Sequence, residues 1–172
     1  MLSTTYEYPV YRGPNIAERL AIIPIVALRF YLASVWLRFS IMKFEAGWLT
    51  TNPLRPLLTS VAHGQLPTTV PGYHAIARLM VVTHADALLS VLIPCAELAV
   101  GLALLIGIAP RVTAFVAIAL NLNLLLAGVG TMSLDGRMIV LQIILVALVT
   151  LVAPRSVVES LGLLGFFRGS PH

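Results

Sequence analysis

The sequence predicts an all-α integral membrane protein: a four-helix bundle with a long loop that carries short helices between its first two spans and with an interfacial C-terminal helix. Of the 172 residues, 59% are hydrophobic and only 10% are charged, whereas soluble domains average roughly 45–50% apolar and about 25% charged residues. One span needs roughly 20 apolar residues. The length therefore holds four spans in a single membrane domain over 1–172, with no room for a second folded domain.

Four apolar stretches supply the spans, which we place at about 20–44, 87–108, 112–130 and 138–153. The last three are separated by short turn sequences, Ala109-Pro110-Arg111 and Asp135-Gly136, in which Pro or Gly ends the preceding helix. These connections make the second, third and fourth spans antiparallel neighbours.

The segment 45–86 is a long loop, and loops of this length are uncommon unless they have a function. Asn52-Pro53 opens a short predicted helix that ends at His63-Gly64, and the apolar stretch from Tyr73 to His84 predicts a second helix lying on the membrane. After the last span, 154–172 forms an interfacial tail, because its apolar residues recur at helical spacing.

Several classes of partner and cofactor are excluded by composition. The net charge of +4 comes from basic residues spread singly along the chain, without the clustered stripe that nucleic-acid binding needs. Cys95 is the only cysteine, so no internal disulfide, Cys-x-x-Cys pair or cysteine-based zinc site can form. The loop histidines lack metal-ligand spacing, so no metal is expected. Haem ligands and iron–sulfur cysteines are absent as well, so the chain has no redox centre of its own.

Glu97 is the most informative residue, because an ionised carboxylate in the middle of a span is costly unless it is paired. Arg29 lies at a comparable depth in the neighbouring antiparallel span, so a Glu97–Arg29 pair would neutralise both charges, and the sequence leaves open whether it forms. Two interpretations of this pair stay open. It is either a structural bridge that fixes the register of the bundle, or part of a polar pocket for a quinone carbonyl, an anion or a proton.

The candidate residues form two groups. The intramembrane polar site comprises Arg29, Arg38, Lys43, Glu97 and Asn121. A weaker candidate, an entrance for a small anion in the loop, comprises Arg55, His63, His74 and Arg78. Helical geometry puts Arg29 and Arg38 on opposite faces, and points Asn121 and Asn123 about 200° apart.

One stretch resembles a known family. The segment from Glu97 to Arg111, ELAVGLALLIGIAPR, has a glutamate, two glycines and a turn closed by arginine. In the first span, Arg29 is followed fourteen residues later by Lys43. These features resemble the DoxX/DoxD family of small four-helix membrane proteins over about residues 25–153, although this chain has Ser40 where that family usually has a glycine.

The resemblance implies a bundle that works within an electron-transfer system. The DoxD proteins are similar to the membrane subunit of thiosulfate:quinone oxidoreductase, whereas many DoxX relatives are accessory members of membrane complexes. We therefore expect a structural or accessory subunit of a larger electron-transfer or energy-converting complex. The alternative is a DoxD-like oxidoreductase subunit with a polar quinone- or anion-binding site. The sequence leaves open whether the chain is an enzyme, and quinone is the only candidate cofactor.

A third class is a small-solute transporter, which would have an inverted repeat with broken helices; Pro24 and Pro94 are the only hint of it. The expected partners are the lipid bilayer and other membrane subunits, in a bacterial or archaeal cytoplasmic membrane. Basic residues are slightly more frequent on the side of the termini, which favours cytoplasmic termini.

Overall fold

The computed structural model describes residues 16–66, 71–126 and 135–151, with side chains from Ile22 onwards. Within these ranges the chain is all-α. The seven helices that it forms there are α1 (Ile16–Glu45), α2 (Trp48–Thr51), α3 (Leu54–Ala62), α4 (Tyr73–Val82), α5 (Ala85–Ile106), α6 (Pro110–Leu126) and α7 (Arg137–Leu151). The predicted interfacial helix at 154–172 lies outside the described residues.

The four long helices pack in a closed ring, in which α1 contacts α5 and α7, and α6 contacts the same two helices. Their starts lie within about four residues of the predicted span starts, and the ends predicted at 130 and 153 lie outside the described residues. Leu32 and Trp36 of α1 meet Leu104 of α5 and Leu145 of α7 in the core between them.

Two of these helices are long and apolar enough to cross a membrane: Ile22–Glu45 within α1 and the whole of α5. As described, α6 and α7 have 17 and 15 residues. Large apolar side chains are exposed on all four long helices, for example Phe30, Leu92, Phe115 and Ile143. Such extensive apolar exposure is rare in soluble monomers and suits contact with lipid or another subunit.

The α1–α5 contact is unusually close at two points. A Cβ atom on Gly101 would lie 2.8 Å from Cγ of Leu37, so the glycine is required by packing. Ser40 is fully buried, and its hydroxyl donates a hydrogen bond of 2.9 Å to the backbone oxygen of Pro94. The contact partner on α5 moves back from Gly101 to Pro94 as α1 advances from Leu37 to Ser40, so α1 and α5 are antiparallel.

The loop contains the two predicted helices, as α3 and α4. They pack on each other through a small core that includes Leu58, Val61 and Ala77. The sequence did not predict α2, which is a single turn between two residues with left-handed backbone, Gly47 (φ 75°) and Asn52 (φ 44°). Together, α2 and α3 bring the loop back onto α5.

Candidate functional site

A cavity of about 280 Å³ lies where α1, α5 and α6 meet the loop helices. This volume is close to the lower end of the range of ligand pockets, roughly 300–1,000 Å³. Most of its wall is apolar, and it includes three aromatic rings. The lining residues are Trp36, Phe39, Lys43, Trp48, Leu54, Leu57, Ile93, Glu97, Asn121, Leu124 and Asp135.

An ion pair forms the polar centre of this wall. Lys43, in the last turn of α1, donates a hydrogen bond to Oε1 of Glu97 in the middle of α5. The Lys43 ammonium also lies 5.3 Å from the centroid of the Trp48 ring, a cation–π distance. The Glu97 side chain is only 2% exposed, and its Oε2 atom has no hydrogen-bond partner among the described residues.

The Glu97–Arg29 pair that the sequence left open is not the one that forms, because Glu97 bonds Lys43 instead. The cause is the helix register. The contacts of Ser40 and Leu37 with α5 set Glu97 level with the end of α1, whereas Arg29 lies fourteen residues, or about 21 Å, before Lys43. Arg29 is buried elsewhere in the bundle, with its guanidinium 5.5 Å from the Phe30 ring.

Of the remaining predicted polar residues in the spans, only Asn121 reaches the cavity. It is buried, and its amide donates a hydrogen bond of 3.4 Å to Gln142 of α7. Arg38 is exposed, whereas Arg29 is buried, in keeping with their predicted opposite faces. Asn123 is exposed and accepts a hydrogen bond from Tyr73 of α4, so the two asparagines point apart as predicted.

Sequence reasoning missed Asp135 as a site residue. It was treated as half of an Asp-Gly turn, yet it is only 8% exposed and lines the cavity. An acidic residue at the boundary of a span was the available signal. With Asp135 included, the wall carries two carboxylates against one ammonium.

The predicted anion entrance does not assemble at the cavity. His63 donates from Nδ1 to the backbone oxygen of Thr59, and His74 donates from Nδ1 to that of Val61. Arg78 is exposed beside a shallow groove on α4. Arg55 belongs to a different arrangement, and none of the four residues lines the cavity.

Arg55 is part of a polar clamp, the name we use for Asn52, Arg55, His84 and Asp86. Asn52 donates from Nδ2 to Oδ2 of Asp86 at 2.7 Å. Arg55 Nη1 lies 3.7 Å from the same oxygen and 3.2 Å from Nδ1 of His84. Asp86 is fully buried in the first turn of α5, where the helix dipole favours a negative charge. The clamp fastens the cavity-lining α2–α3 segment to α5.

The polar groups at the cavity suit a small organic molecule better than a metal ion. No three His, Cys, Asp or Glu side chains converge as metal ligands within the described ranges. The wall presents the Lys43 ammonium as a donor, the carboxylates of Glu97 and Asp135 as acceptors, and three flat aromatic rings in a lining that is otherwise mostly apolar.

Comparisons with protein-family models, with curated proteins and with solved structures each found no match. The function proposed below is therefore inferred from the geometry of this chain.

Proposed function

We propose that the chain is an integral membrane subunit of an electron-transfer complex, and that its cavity binds the ring of a quinone. All four long helices would cross the membrane, with both termini on the cytoplasmic side of a bacterial or archaeal cytoplasmic membrane. The observation that carries the proposal is the Lys43–Glu97 pair in the wall of an aromatic cavity.

The cavity suits a quinone in shape and polarity. A quinone ring is flat and carries oxygen atoms on an otherwise apolar frame, and the lining offers Trp36, Phe39 and Trp48 as partners for its faces. Aromatic pairs in offset or edge-to-face geometry add about 0.5–1.5 kcal/mol beyond their buried area. The Lys43 ammonium supplies a donor for a ring oxygen, because it has three N–H groups and one of them serves Glu97.

The charge of the lining disfavours the alternative that this cavity takes an anion such as thiosulfate. Lys43 is the only cation among the lining residues, and it is already bonded to Glu97, so the wall has no unengaged positive charge for an anion. If thiosulfate is a substrate of the complex, we expect it to bind on a partner subunit.

The transporter alternative has less support. Pro24 lies inside α1 and Pro94 inside α5, and both helices continue through these residues. In transporters of this type the substrate site is formed by spanning helices that are broken into two halves, whereas α1 and α5 are continuous.

The purely structural alternative has one specific observation in its favour. Gly101 and Ser40 fit α1 tightly against α5. The Lys43–Glu97 pair could therefore serve only to fix the register of these two helices, without binding any ligand. The two functions differ in what they predict for small-molecule binding.

Intrinsic fluorescence separates them, because the only two tryptophans of the chain, Trp36 and Trp48, both line the cavity. The purified protein in lipid nanodiscs is titrated with duroquinone. We expect saturable quenching that Lys43→Gln weakens about tenfold, since a hydrogen bond to a charged group contributes about 1.5–3 kcal/mol. Arg38→Gln is the matched control, because it removes an exposed cation five residues away on the same helix.

Unsaturable quenching that is equal in the wild type and in both variants would refute the quinone site and favour the structural role. Affinity purification from native membranes tests the second half of the proposal. A larger complex that contains redox-active subunits is expected, and a chain that is consistently isolated alone contradicts it.

A further inference from the structure

The Oε2 atom of Glu97 is a buried acceptor with no hydrogen-bond partner among the described residues. Glu97 lines the cavity, and its other carboxylate oxygen, Oε1, accepts a hydrogen bond from Lys43. Leaving a buried donor or acceptor unsatisfied is costly, and more so for a charged group. A ligand that donates a hydrogen bond to this oxygen gains binding energy that other ligands of the same shape do not.

The hydrogen-bonding groups in the wall match one functional group closely. Glu97 Oε2 is an acceptor, and the remaining Lys43 N–H groups are donors. A phenolic hydroxyl has one donor hydrogen and two acceptor lone pairs. It can therefore donate to the carboxylate and accept from the ammonium, whereas a quinone carbonyl can only accept and leaves the carboxylate oxygen unsatisfied.

A rotation of the Glu97 carboxylate about its terminal torsion can present this oxygen to a ligand in the cavity. The terminal torsion of a glutamate is broad and roughly two-fold, so the carboxylate can turn while Lys43 stays bonded to Oε1. The ion pair then holds one oxygen and leaves the other for the ligand.

We propose that the cavity binds the reduced, dihydroxy form of a quinone in preference to the oxidised form, through a hydroxyl that donates to Glu97 and accepts from Lys43. The inference rests on the proposed function, since it requires that the cavity binds the ring. It adds that the site distinguishes the two oxidation states, with Glu97 as the residue that determines specificity.

Isothermal titration calorimetry under anaerobic conditions tests the preference with durohydroquinone and duroquinone, which share one ring and four methyl groups. In lipid nanodiscs we expect the hydroquinone to bind the wild-type protein about tenfold more tightly or better, as one unsatisfied buried group is sufficient for that ratio. The dimethyl ether of durohydroquinone has no donor hydrogen and is expected to lose this advantage.

Glu97→Gln is expected to reverse the preference. The glutamine oxygen stays with the Lys43 donor, so its NH₂ group faces the ligand and donates to a carbonyl. Glu45→Gln is the matched control, because it removes an exposed carboxylate at the end of α1 that does not line the cavity, and it is expected to keep the preference for the hydroquinone. The ether series on the wild-type protein decides the question if Glu97→Gln does not fold.

The outcomes separate the two proposals. Equal affinity for hydroquinone, quinone and dimethyl ether overturns the preference and leaves the proposed quinone site standing. Absence of binding by all three molecules overturns both.

Discussion

Two ion pairs in this molecule hold a buried carboxylate in different surroundings: Lys43–Glu97 at the cavity and Arg55–Asp86 in the polar clamp. Asp86 lies at the start of α5, where the helix dipole and Asn52 stabilise its charge, and its Arg55 partner is 47% exposed. Glu97 lies in the middle of α5, and Lys43 is its one hydrogen-bond partner among the described residues. Each carboxylate keeps one oxygen without a partner there, Oε2 of Glu97 and Oδ1 of Asp86, but only Glu97 lines the cavity. The clamp is therefore suited to holding the loop, whereas the cavity pair keeps an acceptor for a ligand.

The largest expected effect comes from removing one member of the cavity pair. Lys43→Met leaves the Glu97 carboxylate buried without a counter-charge, which destabilises a protein by about 3–5 kcal/mol. We expect the thermal midpoint in nanodiscs, followed by circular dichroism, to fall strongly.

The double variant Lys43→Met with Glu97→Leu is the control, because replacement of a whole buried pair by apolar residues is often neutral. We expect it to recover most of the lost stability and to have lost quinone binding. A double variant as unstable as the single one would show that the pair is needed for the fold.

A smaller effect is expected from Gly101→Ala, which moves α1 and α5 apart without touching the clamp. The new Cβ atom would meet Leu37 at 2.8 Å, and overpacking of this kind costs about 1–3 kcal/mol. The same measurement checks it, with Ala99→Leu as a control at an exposed position of α5. Equal stability of Gly101→Ala and the wild type would contradict the close α1–α5 contact.

The pH dependence of stability tests the burial of Tyr73, the first residue of the loop helix α4. Burial raises the pKa of its hydroxyl above the ordinary value of 10.0. A raised pKa in the folded state contributes stability that is present below the unfolded pKa and is lost as the pH rises through the folded value. We expect unfolding midpoints of the wild type to fall above about pH 10 more steeply than those of Tyr73→Phe. Parallel pH profiles for the two proteins would contradict the burial of this hydroxyl.

The smallest effect is expected in the clamp. Arg55→Met removes a half-exposed cation 3.7 Å from the buried Asp86, and solvent around Arg55 screens the attraction, so we expect a loss of roughly 1 kcal/mol. Asp86 keeps Asn52 and the helix dipole, so the unfolding midpoint should change little and quinone binding should persist. A fall of the unfolding midpoint as large as that of Lys43→Met would contradict the proposed difference between the two pairs.

The elements most accessible to sequence reasoning were the long helices and the loop helices α3 and α4, because apolar stretches and Pro or Gly boundaries are local signals. The partner of Glu97 was not accessible in the same way. It depends on the offset between α1 and α5, which Gly101 and Ser40 set through packing. Depth in a span suggested Arg29, whereas the register selects Lys43.

The clamp and Asp135 were missed for a related reason. Asn52 and Asp86 are 34 residues apart, and they meet because α2 turns the loop back across α5. No periodic pattern marks a one-turn helix between two left-handed residues. Asp135 was missed because the dipeptide Asp135-Gly136 indicates a turn, and no local pattern in the sequence places its carboxylate at the cavity.

Photolabelling by an azidoquinone tests the central claim most directly, because it reports where the ring binds. After illumination in nanodiscs, labelled peptides are mapped by mass spectrometry with and without excess duroquinone. We predict labels on α1, α2 and α5 around Lys43, Trp48 and Glu97 that the competitor removes. Labels confined to the outward faces of α6 and α7, or labels that duroquinone does not displace, would contradict a quinone site in the cavity.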